Sequence, residues 1–308
     1  MDPRRLELLL ELSRLGSMRA VAEVMGVTTS TVSQQIAALS REVGTALVEP
    51  VGRRVRLTPA GRRLADHAVT ILAAMEAARM DLDPSAAATG TVRAAAFATA
   101  VRQSLLPVVR TLARTSPEVR LLIREHEPDE CLALLAADDV DLALTYDYNL
   151  APATFDRSLT TSPLGESAWS LAVPADGDNH PPGAALDVFD RFRRADWIVN
   201  SRHTADEDVV RTVASLAGFQ PRITHRADSL ELLQDMIVAG LGVGLLPAGQ
   251  PTVEGVALLP LTDPDVVLRA FSVARRGRTA WPPLAVVLAL LAEAPSPRLS
   301  SGWRHHGG

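Results

Sequence analysis

Eight consecutive residues near the N-terminus carry mostly small side chains that donate and accept hydrogen bonds. They run from Thr28 to Gln35, and an outward helical face there would present Thr29, Ser30, Thr31, Ser33, Gln34 and Gln35. Hydroxyl and amide groups suit base edges and phosphates, whereas a helix that needs only solvation more often carries Glu, Arg and Lys. The pattern predicts a helix that reads DNA, with Thr28 at its N-cap.

A basic turn follows this helix. Arg53, Arg54 and Arg56 lie between two short apolar stretches that read as strands. Three arginines in a hairpin are usually a solvated face, but here they directly follow the predicted DNA-reading helix. They therefore fit a wing that reaches phosphates, each contact adding to the salt dependence of binding.

The preceding residues supply the elements that must position these side chains. Asp2-Pro3 and Ser17 predict the starts of two helices, and Gly26-Val27 predicts the tight turn of a helix-turn-helix. Val32, Ile36 and Leu39 form the inward face of the reading helix. Thr58-Pro59 opens a longer helix to about residue 82, whose apolar seam suits a partner helix from a second subunit or packing on its own domain.

Strand and helix patterns alternate from about residue 90, which predicts parallel α/β sheets, one in each of two lobes. A late strand at 266–274 is expected to cross back to the first sheet, and a helix over 282–293 closes the chain. Ligands bind at the carboxyl ends of parallel strands, where helix N-termini offer free N–H groups. This rule nominates the polar residues that follow predicted strands: Thr99, Thr145, Tyr146, Asn200, Ser201, Arg202, His203, Thr204 and Ser229.

Four of these candidates have simpler explanations that stay open. Ser229 and Thr204 are equally consistent with plain helix capping. Arg202 or His203 would pair with a carboxylate on a ligand, although each is also an ordinary solvated loop residue.

Composition excludes several other classes of protein. Eleven Arg face nine Asp and Glu over residues 1–82, so a mildly basic head precedes an acidic body, although the formal net charge is -5. A single cysteine, Cys131, excludes an intrachain disulfide and a cysteine metal cluster, so neither metal nor cofactor is expected. We find no catalytic motif, signal peptide or membrane span. A non-enzymatic, cytoplasmic protein without a membrane partner is expected.

Residues 17–28, 32–36, Leu39, Gly44 and 52–61 together resemble the DNA-binding domain of the LysR-type transcriptional regulator family, with matching order and spacing. The family pattern has Gln at Thr29, Glu at Ser40 and an aromatic-Glu-Arg run at 48–50, so an atypical operator is expected. The resemblance implies an effector domain like a periplasmic binding protein, and it extends to Pro107, 140–144 and 239–247. It also implies a homodimer that associates further into a tetramer.

These observations predict an α+β multi-domain chain: a winged helix-turn-helix (1–59), a linker helix and hinge (60–89), a two-lobed α/β effector domain (90–295, second lobe about 163–265) and a flexible tail (296–308). The predicted function is transcription regulation through a double-stranded DNA operator, modulated by a small-molecule effector. The alternative is an oligomeric DNA-binding regulator without an effector. A solute-binding protein is disfavoured because it would need a signal peptide and would lack the head.

Overall fold

The computed structural model describes residues 1–51, 54–83, 87–175, 183–202 and 205–293. Its N-terminal unit contains three helices, a two-stranded hairpin and the beginning of a long fourth helix. Among the described residues, no helix is both long and apolar enough to cross a membrane. The elements of this unit are α1 (Pro3–Leu15), α2 (Met18–Met25), α3 (Thr29–Val43), β1 (Val48–Val51), β2 (Arg54–Leu57) and α4 (Pro59–Leu82).

Local capping chemistry defines these helices. Side-chain oxygens of Asp2, Ser17, Thr28 and Thr58 each accept a backbone N–H in the first turn of the helix that follows. Glycines in the left-handed conformation end α1, α2 and α3, and Gly26 (φ 63°) makes the helix-turn-helix turn. The predicted caps and turn are therefore confirmed.

One apolar cluster holds the three helices together. Val32, Ile36 and Leu39 are fully buried, as their spacing predicts, against the leucines of α1 and the first half of α4. Val24 of α2 is 59% exposed, while Val21 and Ala22 of the same helix are buried. An eight-residue helix buries a narrow stripe, and Val24 lies outside it.

The remaining described residues form two lobes. The first contains β3 (Gly90–Ala96), a short helical turn (Ala98–Ala100), a π-helical turn (Val101–Leu105), β4, β5 and three longer helices. Numbering the short turn as α5, the elements are α6 (Leu106–Thr115), β4 (Val119–Glu125), α7 (Pro128–Ala136), β5 (Leu142–Tyr148), β6 (Leu159–Pro174), α8 (Ala185–Arg191), β7 (Asp196–Val199), α9 (Ala205–Leu216), β8 (Arg222–Arg226), α10 (Leu230–Val238), β9 (Val243–Pro247), β10 (Val256–Pro260), β11 (Val267–Arg275) and α11 (Pro282–Glu293).

The strands form one mixed sheet rather than two purely parallel ones. Its order is β4-β3-β5-β11-β6-β9-β7-β8, with β10 also pairing with β6. The β3, β4 and β5 pairs are parallel, as are those of β7, β8 and β9. β11 returns to the first lobe as predicted, but it runs antiparallel to both β5 and β6.

The long strand β6 joins the two lobes. Its first part, through Ala168, pairs with β11, and its second part, from Trp169, pairs with β9 and β10. Pro163 lies inside this strand because the register of β11 shifts between Ala270 and Phe271 opposite it. A proline is tolerated at such a bulge, where the ladder is already interrupted.

The linker helix α4 contacts the first lobe as well as the N-terminal unit. Thr70 Oγ1 donates to the backbone carbonyl of Arg276 (3.2 Å). Arg275 bridges Asp66 of α4 and Asp138 of the first lobe, the latter at 3.2 Å. Because Ala65, Ala68, Val69 and Ala73 are buried within the chain, packing on the same chain accounts for much of the apolar seam of α4.

Candidate DNA interface and effector cleft

The N-terminal end of α3 presents a polar, exposed surface. Thr29, Ser30, Ser33 and Gln34 are exposed and Thr31 is half-buried. Thr28 Oγ1 accepts from Thr31 N (3.1 Å) and lies 2.8 Å from Ser30 Oγ, so this hydroxyl is engaged in holding the first turn. Thr29, Ser33 and Gln34 are the exposed side chains of this surface that take no part in these first-turn hydrogen bonds.

Gln35 is already engaged within the unit. Its Oε1 accepts from Arg5 Nε (3.0 Å), and Arg5 Nη1 also reaches Glu42 Oε2 (3.2 Å). Gln35 therefore helps to tie α3 to α1, a contact that local sequence does not signal because the partners lie thirty positions apart.

The predicted wing is an antiparallel hairpin in which Glu49 lies opposite Arg56. Arg56 donates to Glu49 Oε1 from Nη2 (2.7 Å) and Nε (3.0 Å). Both side chains are largely exposed, so this pair contributes little to stability and can be exchanged for a phosphate contact. Arg53 and the side chain of Arg54 lie outside the described residues, although the backbone of Arg54 begins β2.

The two lobes face each other along a surface here called the inter-lobe cleft, where Tyr146, near the carboxyl end of β5, meets Asn200, which follows β7. Asn200 Nδ2 donates to Tyr146 Oη (3.2 Å), and Tyr146 donates to Glu127 Oε2 (3.4 Å). All three residues are buried, with Glu127 6% and Asn200 4% exposed. Asn200 Oδ1 accepts no hydrogen bond among the described residues.

Asp228 organises the second-lobe side of the cleft. Its carboxylate accepts from the backbone N–H (2.7 Å) and hydroxyl (2.5 Å) of Ser201, and from Arg202 Nε (3.1 Å). Burial alone would raise the pKa of Asp228, but these hydrogen bonds outweigh it and the pKa is lowered. His203 and Thr204 lie outside the described residues.

The other nominated residues are more scattered. Thr99 is half-buried in the short turn after β3. Thr145 is buried, and by strand alternation it faces away from its neighbour Tyr146; its Oγ1 has no hydrogen-bond partner among the described residues. Ser229 accepts from Leu232 N (3.2 Å), which caps α10, and donates to Glu231 Oε2 (2.9 Å).

Sequence reasoning missed the acidic residues of the cleft. Glu125 is the last residue of β4, Glu127 follows that strand and Asp228 follows β8, so the strand-end rule that nominated Asn200 also applies to them. Arg102 was also missed; its Nη1 lies 3.0 Å from Glu231 Oε1 in the opposite lobe. In a sequence, charged residues are normally interpreted as solvent-exposed. The sequence therefore does not reveal which of them become buried by tertiary packing.

Glu127 has an altered protonation equilibrium. Burial is the main cause, and with the negative charge of Asp228 and Asp206 it raises the pKa of Glu127 to about 7 against the lowering influence of Arg202. The carboxyl is therefore poised between its neutral and ionised forms near neutral pH.

The single cysteine lies beneath this site. Cys131 is fully buried in α7, and its Sγ donates to the carbonyl of His126 (3.2 Å). Burial, followed by the charges of Glu127 and Glu130, raises the pKa of the Cys131 thiol to about 12. The described residues hold no cluster of three or more His, Cys, Asp and Glu that would suit a metal ion.

A winged helix-turn-helix joined by a long helix to a two-lobed α/β unit defines a class of protein: a DNA-binding regulator with a sensor domain. Two family models match the chain. Residues 3–62 match the bacterial regulatory helix-turn-helix protein of the lysR family, and residues 85–296 match the LysR substrate binding domain. The chain therefore belongs to the LysR family of transcriptional regulators.

Curated relatives agree with this assignment. The transcriptional dual regulator GltC of Bacillus subtilis is 27% identical over 86% of this chain and 88% of its own length. A probable hydrogen peroxide-inducible genes activator of Mycobacterium avium is 30% identical over 76% of this chain and 73% of its own length. These relatives are transcription regulators by name.

Solved structures share the fold along nearly the whole chain. A cysteine-to-aspartate variant of full-length OxyR from Pseudomonas aeruginosa superposes with a TM-score of 0.70 at 18% identity, covering 97% of this chain and all of that one. Full-length CbnR in complex with its target DNA gives a TM-score of 0.53 at 18% identity, covering 96% and 100%.

Proposed function

We propose that this LysR-family regulator binds a double-stranded operator through α3 and the wing, and that a small molecule in the inter-lobe cleft modulates the binding. The observation that carries the proposal is the exposed face of Ser33 and Gln34 on a helix held by three buried residues. A rigid helix with short hydrogen-bonding side chains fits the major groove, while Arg56 is placed for phosphate.

We further propose that two chains pair through α4 and that the dimers associate into a tetramer. Intrachain packing leaves Leu64, Ile71, Leu72 and Met75 of α4 half-buried, which provides an apolar surface for a partner helix. A dimer would place two recognition helices in major grooves about one helical turn, roughly 34–36 Å, apart. Analytical ultracentrifugation of the full chain measures the assembly, and a monomer at micromolar concentration would overturn this proposal.

Two contacts support communication between the cleft and the DNA-binding unit. Tyr146 and Asn200 join the lobes inside the cleft. Arg275, in the same mixed sheet as Tyr146, joins the first lobe to α4 through Asp66 and Asp138. A ligand that changes the lobe arrangement therefore acts on the element that orients α3, and such coupling is typically about 1–3 kcal/mol.

A thiol-based response is disfavoured for this chain. Several relatives are named hydrogen peroxide-inducible genes activators. A peroxide-sensing cysteine needs an accessible thiolate, whereas Cys131 is buried with a pKa raised to about 12 and the chain has no second cysteine. The proposed signal is therefore a reversibly bound ligand.

Selection of binding sites from random-sequence DNA tests the groove assignment. Ser33→Ala and Gln34→Ala are expected to change the selected sequences, because these side chains are placed at base edges. Arg56→Ala should weaken binding to all sequences and reduce the logarithmic salt slope by about 0.9. Arg157→Ala, an exposed arginine of the effector lobes, is the matched control and should leave both unchanged.

The outcome that contradicts the assignment is specific. If the Ser33 and Gln34 variants select the same sequences as the parent with equal affinity, α3 does not read the operator as proposed.

A further inference from the structure

We propose that the cleft recognises a cationic small molecule, an amine or guanidine, whose head group lies between Glu127 and Asn200. This inference rests on the proposed function, since it names the chemical class of the effector. It is opposite to the expectation that Arg202 pairs with a carboxylate on a ligand.

Among the described residues, carboxylates outnumber cations on both sides of the cleft. The first lobe contributes Glu125, Glu127 and Glu130 around the end of β4, and the second contributes Asp206 and Asp228. His126 Nδ1 lies 3.2 Å from Glu130 Oε2. A carboxylate ligand would meet like charges here, which disfavours it, whereas a cation is attracted.

Arg202 already behaves as an internal cation in this cluster. Its Nε donates to Asp228 Oδ2 at 3.1 Å, so the side chain is anchored in the second lobe. Its outer nitrogens approach Glu130 at 3.5 Å, and Glu125 and Glu127 at 3.9 Å each. Arg202 therefore makes no direct charge-assisted hydrogen bond, typically about 2.7–2.9 Å, to Glu125 or Glu127, whereas Glu130 already accepts from the backbone N–H of Glu127 (3.1 Å) and lies 3.2 Å from His126 Nδ1.

An unpartnered buried acceptor points to the same ligand chemistry. The Asn200 amide is tied by its Nδ2 to Tyr146, which donates to Glu127, so the amide lies within the cluster. Asn200 Oδ1 is buried and has no donor among the described residues. Ammonium and guanidinium groups carry only donors, so they satisfy this oxygen and the Glu127 carboxylate together.

Protonation of Glu127 makes the binding depend on pH. A bound cation stabilises the ionised carboxylate, whose pKa is about 7 without ligand. Affinity should therefore rise about tenfold between pH 6 and pH 8, and binding near neutral pH should release protons. The charged and titratable groups around Glu127 are Glu125, His126, Glu130, Arg202, Asp206, Asp228 and Tyr146.

Isothermal titration calorimetry of the full chain provides the test. The cationic probes are tetramethylenediamine and agmatine, with butanediol and succinate as the neutral and anionic probes of matched length. The cations are expected to bind and the other two are not. Glu127→Gln keeps the side-chain shape and should weaken cation binding at least tenfold, whereas Glu118→Gln, an exposed residue about 20 Å away at the other end of β4, should not.

A second variant separates recognition from damage to the fold. Arg202→Gln removes the internal cation, so cation affinity should increase several-fold, an effect that a misfolded cleft does not produce. In Glu127→Gln the pH dependence of cation affinity between pH 6 and pH 8 should largely disappear. Thermal melting of each unliganded variant verifies that it is folded.

The failures are distinguishable. The inference is overturned if the cationic probes do not bind the parent protein. It is also overturned if they bind Glu127→Gln with the same affinity as they bind the parent. If succinate or butanediol binds instead and alters operator affinity, the cationic class is wrong while the proposed function stands. If a broad metabolite panel changes neither melting temperature nor operator affinity, the proposed function fails as well.

Discussion

Replacement of Asp141 by asparagine is expected to destabilise the effector lobes substantially. The carboxylate is almost fully buried at the start of β5, where it accepts from Arg93 N, Nε and Nη2 and from Arg278 Nη2, each at 3.0 Å. Asparagine keeps the shape but removes the charge that both guanidinium groups share. Arg278 also lies over the Trp281 ring (4.0 Å), which restricts its escape to solvent.

The magnitude follows from the burial of the partners. Breaking a buried pair costs about 3–5 kcal/mol, but Arg93 and Arg278 remain 25% and 18% exposed, so solvent screening reduces the expected loss to roughly 2–3 kcal/mol. For a domain of this size the loss corresponds to a melting temperature lower by about 4–12 °C. Differential scanning calorimetry at neutral pH measures it.

The control is the same substitution in an exposed pair. Asp190 lies 3.0 Å from Arg193 with both side chains about half exposed, so Asp190→Asn should change stability by less than about 0.5 kcal/mol. The reasoning is refuted if the two variants melt at the same temperature.

The ion pairs of Asp141 with Arg93 and Arg278 also predict that the stability of the protein depends on pH. Burial would raise the pKa of Asp141, but hydrogen bonds from Arg93 and the charge of Arg278 outweigh it, so the folded pKa lies below the ordinary 3.8. A lowered pKa means that the stabilisation is complete above pH 3.8 and is lost as the pH falls towards the folded value. The difference in the free energy of unfolding between the parent protein and Asp141→Asn should therefore become smaller at acidic pH. Denaturant unfolding at several pH values measures this difference.

Three further predictions concern the linker, the wing and the thiol. In Gly277→Ala the new Cβ would lie 2.2 Å from the hydroxyl oxygen of Thr70 in α4, at a backbone φ of 82°, so the melting temperature should fall by several degrees. Gly249→Ala is the control, because its new Cβ would lie in open space and should leave the melting temperature unchanged. Glu49→Gln should free Arg56 for phosphate and tighten DNA binding at low salt, measured by fluorescence anisotropy; unchanged or weaker binding would contradict the wing assignment. Cys131 should resist a thiol reagent in the native protein, because at pH 8 only roughly one part in ten thousand is thiolate; fast native labelling would contradict its burial.

The N-terminal unit was predictable because its determinants are local. Ser17, Thr28 and Thr58 cap helices within three residues of their own positions, and Gly26 makes its turn through its own backbone angle. Such signals depend little on the rest of the fold. The side-chain engagement of Gln35 by Arg5 depends on tertiary packing and was therefore not foreseen.

The effector lobes were predictable in their elements but not in their pairing. Strand order and the antiparallel course of β6 and β11 depend on partners about a hundred positions apart. The second lobe was expected to begin at about residue 163 because a proline usually interrupts a strand, whereas the bulge beside Pro163, at Leu164 of β6, forms only in the pairing with β11. In the cleft, the strand-end rule found Tyr146 and Asn200, whereas the burial that makes Glu127 chemically distinct arises only when both lobes are assembled.

The continuous strand β6 has a mechanical consequence. Its hydrogen-bonded ladder passes from β11 to β9 and β10 at Ala168 and Trp169 without an intervening loop. Relative movement of the lobes must flex or twist this stiff ribbon, because a free swing would break several backbone hydrogen bonds at once. The two lobes should consequently rotate against each other only by small angles, and the strained strand should restore their resting arrangement. A change at the cleft would therefore reach α4 as a small twist rather than as a large displacement.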